Sequence, residues 1–315
     1  MSQTLRAAVN VDVDGLYLYD RIHGYAGSSG NSAEFNPATA DSTVWTKGVT
    51  RFLDLFDRCG VKGTFFVVAQ DLANPDVQVI LKQCVDAGHE IGSHSLTHPY
   101  DLSRMEPDAI VAELKQAREL LQDATGQSIS GFRAPGYVMS PALLEAIATA
   151  GHSYDSSLFP CPPYQAAKAS IIGLYRLLGR PSGSIPEGPG VWFRNRNPHV
   201  VTTQSGKRLF EMPVGVVPAI RMPFIGTSLI AFGELGWRMM SPMLRNTAWV
   251  NFECHAIDLT DHEADDIPER LKTQPDQRVA LKRKWPLFIR ALESLNQSHE
   301  FDTLAHWADR EFAPA

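Results

Sequence analysis

Short apolar runs alternate along the chain with segments whose apolar residues recur every three or four positions. The first run, residues 7–13, is typical of a buried strand. Residues 43–59 follow with helical spacing, and Gly60 is a stop signal. The alternation continues with strands at 62–69, 89–93 and 129–133, and with helices at 76–87, 107–121 and 140–151. This order of elements predicts a parallel sheet with helical crossovers.

Polar residues with useful chemistry come at the ends of these predicted strands. They are Asp12, Asp14, His94, Arg133 and Asp155. In a barrel the active site collects residues from the carboxyl ends of several strands, whereas a doubly wound sheet concentrates them at one switch point. The recurrence therefore favours an α/β fold of the distorted (β/α) barrel type.

Residues 160–208 interrupt the alternation with many prolines and glycines. Long irregular stretches inside a compact domain are usually functional or disordered. We expect a single catalytic domain over residues 1–315, with 160–208 as an insertion over the barrel mouth that contains a helix at 166–178. The remaining predicted elements are strands at 209–217 and 248–254 and helices at 276–294 and 303–312.

Composition excludes several classes of protein. The chain has 315 residues, 44% of them hydrophobic, and a net charge of -6, which gives no support for nucleic-acid binding. No apolar run approaches the roughly 20 residues that span a bilayer. The apolar stretch 218–243 is expected to be a barrel helix or lid, with contact to a membrane surface as the alternative. No secretory signal is seen, so we expect a cytoplasmic location. Four cysteines without CxxC spacing predict buried thiols: Cys59, Cys84, Cys161 and Cys254.

His94 and His98 are separated by three residues and can offer two imidazole nitrogens to one metal ion. Asp12 and Asp14 are two apart in a predicted strand, so both carboxylates can face the barrel mouth. One can bind a metal while the other accepts a proton from the attacking water. One carboxylate and two histidines leave a coordination position open, which is typical of a hydrolytic metal site. The alternative for the acidic pair is an Asp-Gly turn.

Arg133 ends a predicted strand, and a buried arginine needs a partner. Asp12 is the partner that we expect, and the pairing would hold its pKa down. The alternative is a structural arginine in a Pro-Gly turn. Tyr137 either lines the substrate groove or directs its backbone N–H at an oxyanion.

Five ordered motifs resemble those of the NodB-homology polysaccharide deacetylases, carbohydrate esterase family 4. They lie at 12–15, 94–98, 133–137, 154–159 and 251–255. The resemblance is strong over residues 5–160 and looser over 205–260, and it is closest to the exopolysaccharide- and peptidoglycan-deacetylase-like branches. The aspartate pair carries one inserted residue, and the fourth motif keeps only Asp155.

The resemblance implies a barrel of seven strands and one divalent cation held by Asp14, His94 and His98. Zn²⁺ is the expected ion, with Co²⁺, Ni²⁺ or Mn²⁺ as substitutes. It also implies that Asp12 is the general base and His255 the general acid.

Other roles are less specific. The resemblance places Tyr137 and Asp155 at the substrate and Arg133 beside the base. His255 could instead be a satisfied strand-end residue, with Glu253 and Asp258 near enough to orient it. His89 and His152 follow helix-closing glycines and are expected to be interior residues.

The implied activity is metal-dependent removal of N-acetyl groups from a sugar or glycan. Two alternatives remain: an allantoinase-like hydrolase of cyclic amides, if the insertion closes the groove, and a glycan-binding relative without activity. The expected partner is a small molecule or glycan, and the sequence leaves homo-oligomer formation open.

Overall fold

The computed structural model describes residues 4–23, 35–177, 179, 185 and 189–312. Nine strands occur in this part of the chain: β1 (Arg6–Val13), β2 (Thr64–Val67), β3 (Glu90–Ser93), β4 (Gly131–Phe132), β5 (Tyr154–Asp155), β6 (His199–Thr202), β7 (Arg208–Glu211), β8 (Trp249–His255) and β9 (Glu300–Phe301). The α-helices are α1 (Leu16–His23), α2 (Thr50–Cys59), α3 (Pro75–Asp86), α4 (Pro107–Thr125), α5 (Pro141–Thr149), α6 (Pro162–Leu177), α7 (Gly226–Leu244), α8 (Leu281–Asn296) and α9 (Leu304–Phe312).

The strands form one curved sheet in the order β6-β7-β5-β4-β3-β2-β1-β8. The seven strands from β7 to β8 run parallel, β6 is antiparallel to β7, and β9 pairs with the start of β1. The segment after β7 reaches β8, where the Gly215 N–H donates to the Asn251 carbonyl over 2.8 Å. The predicted seven-stranded distorted (β/α) barrel is therefore confirmed.

Several helix boundaries follow from local sequence signals. Ser140 caps α5, because its Oγ accepts a hydrogen bond from the Leu143 N–H, and Pro141 takes the first helical position. Gly60 ends α2 in the left-handed conformation with φ 63°, which glycine adopts without a Cβ penalty.

Three predicted elements differ from the structure. The helix expected at 43–59 begins as a π-helical stretch, Val44–Val49, before α2. The helix expected at 276–294 starts only at Leu281, where the Asp261 carboxylate accepts the Leu281 N–H and caps α8. The insertion contains the unpredicted β6, which adds an antiparallel edge to the sheet.

The insertion is only partly described, since residues 178, 180–184 and 186–188 lie outside the described residues. Its helix α6 contacts the mouth, because Lys168 Nζ donates to the Gly136 carbonyl over 2.8 Å. The Tyr164 ring at the start of α6 packs against the Tyr137 ring, with centroids 6.1 Å apart. This part of the insertion therefore lies beside the motif that follows β4.

Within the apolar stretch 218–243, the residues from Gly226 onward form α7, which packs on β8 and α8 as a barrel helix. Leu229 and Trp237 are buried, whereas Leu235 and Met239 are exposed. Among the described residues, no helix is both long and apolar enough to cross a membrane.

The interior residues also lie where they were expected. All four cysteines are free and buried. His89 and His152 are buried, and His89 Nδ1 accepts the Gly63 N–H over 3.1 Å. These two histidines lie in the packing of the barrel wall rather than at its mouth.

Candidate active site

The ends of β1 and β3 bring one carboxylate and two imidazoles together. Asp14 Oδ1 lies 3.5 Å from His94 Nε2 and 3.4 Å from His98 Nε2. All three side chains are buried, and their candidate ligand atoms lie within 4.8 Å of one another. Asp14 comes directly after β1, and the histidines occupy the loop after β3, so the parallel strands deliver them to one edge.

Backbone contacts orient both histidines. His94 Nδ1 lies 2.8 Å from the Arg133 carbonyl, which can only accept, so Nδ1 carries the proton and Nε2 presents a lone pair to Asp14. His98 has φ 56°, an uncommon left-handed value, and its N–H donates to Ser95 Oγ over 3.0 Å. This turn brings the second imidazole beside the first, with ring centroids 4.7 Å apart.

The donor set fits a divalent cation. Asp14 Oδ1 is buried and accepts no hydrogen bond among the described residues, although it faces two imidazole nitrogens. Burial raises the pKa of Asp14, an effect that His94 partly offsets. A buried carboxylate without donors is costly unless a cation satisfies it. Two imidazoles and one carboxylate are also the ligands of many catalytic zinc sites.

Asp12 lies beside this cluster and is held by Arg133. Arg133 Nη1 donates to Asp12 Oδ1 over 2.7 Å, which is the pairing expected from the sequence. Burial would raise the pKa of Asp12, but the positive charge of Arg133, with that of His255, holds the pKa below its usual value. Asp12 Oδ2, the oxygen that does not contact Arg133, is 4.0 Å from His94 Nε2 and faces the cluster.

A polar network inside the barrel supports Arg133. Its Nε donates to the Ser156 carbonyl over 2.8 Å and its Nη2 to Ser156 Oγ over 2.7 Å. Its Nη1 also donates to Asn10 Oδ1, and Asn10 in turn donates to Asn251 on β8. Sequence reasoning missed these supporting residues. Asn10 and Asp12 are two residues apart on β1 and share its inward face, and this spacing was the signal that could have identified Asn10.

His255 lies next to Asp12, because the two residues are register partners on the neighbouring strands β8 and β1. Its Nε2 is 3.9 Å from Asp14 Oδ2, and its side chain is 21% exposed, more than those of the ligand residues. Burial lowers the pKa of His255, but the negative charge of Glu253 dominates and raises it well above the usual value. The pairing with Glu253 therefore favours the protonated form of His255.

Tyr137 and Asp155 are the two residues that were expected at the substrate. The Tyr137 N–H donates to the Ala134 carbonyl over 3.0 Å, so it does not point at an oxyanion. The Tyr137 side chain instead faces inward, with its hydroxyl 3.5 Å from Asp12 Oδ2. Asp155 is fully buried and accepts from Ser157 Oγ, so the structure gives no support to a substrate contact by Asp155.

Comparison with known proteins bears on the same part of the chain. Residues 38–154 match the family model described as polysaccharide deacetylase. The sequence of this segment is therefore similar to the polysaccharide deacetylase family. The resemblance seen in the motifs is thereby confirmed, although the matched segment includes neither Asp12 nor His255.

Curated relatives carry the names of the same family. The peptidoglycan deacetylase of Helicobacter pylori is 27% identical over 161 residues, which are 50% of this chain and 51% of the relative. A chitooligosaccharide deacetylase of Bradyrhizobium sp. is 34% identical over 100 residues, 31% of this chain and 44% of the relative. The chain spans between 23% and 51% of the length of the first curated relatives that it matches.

Solved structures share the fold over nearly the whole chain. A Mycobacterium smegmatis structure from the polysaccharide deacetylase group gives a TM-score of 0.62 at 18% identity, covering 99% of this chain and 92% of that one. PuuE allantoinase gives a TM-score of 0.60 at 13% identity, covering 100% of this chain and 93% of that one. Both likenesses concern the architecture alone.

Proposed function

We propose that this chain is a metal-dependent deacetylase that hydrolyses the N-acetyl group of an amino sugar or glycan. The observation that carries the proposal is the convergence of Asp14, His94 and His98 within 4.8 Å, with Asp12 and His255 beside them. The curated relatives that act on peptidoglycan and chitooligosaccharide support the class of substrate. We further propose that one catalytic domain spans residues 1–315.

Asp14, His94 and His98 would hold the cation, and we propose Zn²⁺, with Co²⁺, Ni²⁺ or Mn²⁺ able to replace it. A bound divalent cation supplies Lewis-acid chemistry, because it polarises a carbonyl and lowers the pKa of water.

The protein's own residues would move the protons. Asp12 accepts the proton of the attacking water at Oδ2, and Arg133 keeps the other oxygen engaged so that the carboxylate stays ionised. His255 donates its Nε2 proton to the nitrogen as the C–N bond breaks. Asp12 and His255 both lie beside the cluster, so one side chain can accept a proton and the other can donate one. The inward Tyr137 side chain would line the acyl site.

A second candidate is hydrolysis of a cyclic amide or imide. The observation that favours it is the depth of the site, because Asp12, His94 and His98 are almost fully buried and only His255 is appreciably exposed. A narrow entrance suits a small substrate better than a long polymer.

One experiment separates the candidates. Metal-loaded protein is assayed for acetate release from N-acetylglucosamine oligomers and peptidoglycan fragments, and for ring opening of hydantoins and imides. We expect acetate release that a chelator abolishes. Ring opening without acetate release would establish the second candidate, and turnover that survives complete metal removal would contradict both.

His94→Ala tests the ligand assignment in the same assay. The variant removes one of three ligands and should lose both bound metal and turnover, as measured by elemental analysis and acetate release. Stoichiometric metal in this variant would contradict the assignment.

A further inference from the structure

Glu253 is a fully buried carboxylate directly below the candidate acid. Glu253 and His255 are two residues apart on β8, so their side chains share the face that points into the barrel. Glu253 Oε1 lies 2.9 Å from His255 Nδ1. Within the described residues, neither oxygen of Glu253 accepts a hydrogen bond of good geometry, so the contact with His255 is an ion pair. A buried charge with a single partner points to a role for that partnership.

Asp258 and the fourth-motif residue Asp155 are two other carboxylates that could orient a histidine, and both are engaged elsewhere. Asp258 Oδ2 accepts the backbone N–H of His255 over 2.9 Å, so it fixes the main chain and not the ring. Asp155 accepts from Ser157 Oγ and lies opposite Glu211 on the neighbouring strand β7. Of these carboxylates, only Glu253 reaches Nδ1 of the imidazole.

We propose that Glu253 is the positioning residue of His255, a role that rests on the proposed deacetylase function. The Glu253 carboxylate holds the Nδ1 proton and so aims Nε2 toward Asp14 and the acyl site. It also balances the positive charge of the protonated ring. A carboxylate that orients a histidine in this way is a recurrent device in acid–base catalysis.

The proton balance of the step is complete. As the C–N bond breaks, its electron pair goes to nitrogen and His255 Nε2 gives that nitrogen a proton. His255 is left neutral, with the proton on Nδ1 still facing Glu253. The ring is 21% exposed, so solvent can return a proton to Nε2 before the next cycle.

A second cation is the competing interpretation. Ligand atoms of Asp12, Glu253 and His255 also lie within 4.8 Å of one another. However, Asp12 is bonded to the Arg133 guanidinium over 2.7 Å, so a cation there would lie against a fixed positive charge. His255 already neutralises Glu253 without it. The charges therefore favour positioning, and metal stoichiometry tests the alternative.

Glu253→Gln keeps the shape of the side chain and removes its charge. Two acetyl substrates are compared: the N-acetyl sugar that the wild type hydrolyses, and 4-nitrophenyl acetate. The amine leaving group needs a proton, whereas nitrophenolate leaves as an anion. We expect kcat on the amide to fall about 10- to 100-fold with KM within about 2-fold. We expect kcat on the ester to change less than about 2-fold.

Two variants control this result. Glu253→Asp keeps the charge on a shorter side chain and should recover part of the lost amide activity. Glu211→Gln alters a buried carboxylate on β7 that does not contact His255, so any loss should be equal on amide and ester. Equal losses on both substrates in Glu253→Gln would overturn the proposal.

Other outcomes are equally decisive. Two metal ions per wild-type chain and one in Glu253→Gln would establish the second-cation interpretation instead. If neither variant folds, ¹⁵N-histidine spectra of the wild type decide the matter, because a His255 whose Nδ1 carries no proton contradicts the pairing. A wild type inactive on every acetyl substrate is a failure of the proposed function rather than of the Glu253 pairing.

Discussion

Both ends of the barrel enclose buried carboxyl groups, but in the part of the chain that the structure describes two of those at the carboxyl ends of the strands lack the hydrogen-bond donors found at the amino ends. At the amino ends of the strands, Glu90 accepts hydrogen bonds from Thr64 Oγ1 over 2.6 Å, from Tyr154 OH over 2.6 Å and from the Ala305 N–H over 2.9 Å. At the carboxyl ends, Asp14 Oδ1 and both oxygens of Glu253 lack such donors among the described residues.

The difference separates a structural carboxyl group from functional ones. Glu90, on β3, forms hydrogen bonds to β2, to β5 and to the first turn of α9. These hydrogen bonds offset much of the free-energy cost of burying the carboxyl group. Asp14 can instead bind a cation, and Glu253 can pair with the protonated imidazole of His255. Unsatisfied buried groups concentrate where a site is kept ready for such partners.

The largest expected effect is at the mouth. Asp12→Asn removes the proposed base but keeps the side-chain shape beside Arg133. Turnover should fall by about 10²–10⁴-fold because the attacking water keeps its proton. Bound metal should stay at the wild-type ratio, as checked by elemental analysis alongside acetate release. A rate within a few-fold of the wild type would show that another group is the base.

At the opposite end, the effect should be on stability alone. Glu90→Gln has one acceptor oxygen in place of two and meets a surplus of donors. We expect a loss of about 1–3 kcal/mol in the free energy of unfolding, measured in urea. Activity per folded molecule should not change. The matched control is Glu119→Gln on the exposed side of α4, which should cost less than about 0.5 kcal/mol.

The smallest expected effect has the opposite sign. Burial raises the pKa of Asp14, so the folded protein disfavours its ionised form, and without metal this carboxylate costs stability at neutral pH. Asp14→Asn should therefore stabilise the metal-free protein by about 1 kcal/mol in urea unfolding. Asp86→Asn, an exposed control on α3, should leave stability unchanged. If Asp14→Asn destabilised the metal-free protein, the carboxylate would be satisfied by the protein itself.

Much of the site could be predicted because it depends on strand periodicity. A spacing of two residues places Asp12 and Asp14 together, and a spacing of four does the same for His94 and His98. Burying the charge of Arg133 without a partner would cost free energy, which indicates its pairing with Asp12. The order of strands and helices likewise predicts the barrel. These features are local, or follow from a rule that applies to every parallel barrel.

Long-range choices could not be predicted in this way. Glu253 and Asp258 are both near His255 in sequence, and only the path of the chain after β8 decides which one meets the ring. The hydrogen bond from Tyr137 to Ala134 depends on a left-handed turn, with Tyr137 at φ 62°. The antiparallel strand β6 pairs with β7. The proline-rich sequence before β6 gives no sign of this strand or of the turn that joins it to β7.

β1, which carries Asp12 and leads directly to Asp14, pairs with strands that lie far along the chain. One edge of β1 pairs with β8, which lies more than 240 positions later in the chain. The first residues of β1 also pair with β9, which lies more than 290 positions later. During synthesis, the edge of β1 that pairs with β8 stays unpaired until most of the polypeptide has been made. Contacts of such sequence separation form slowly and expose nascent strands to aggregation. The reaction centre is thus among the last features to be completed, and its formation reports that the whole barrel has closed.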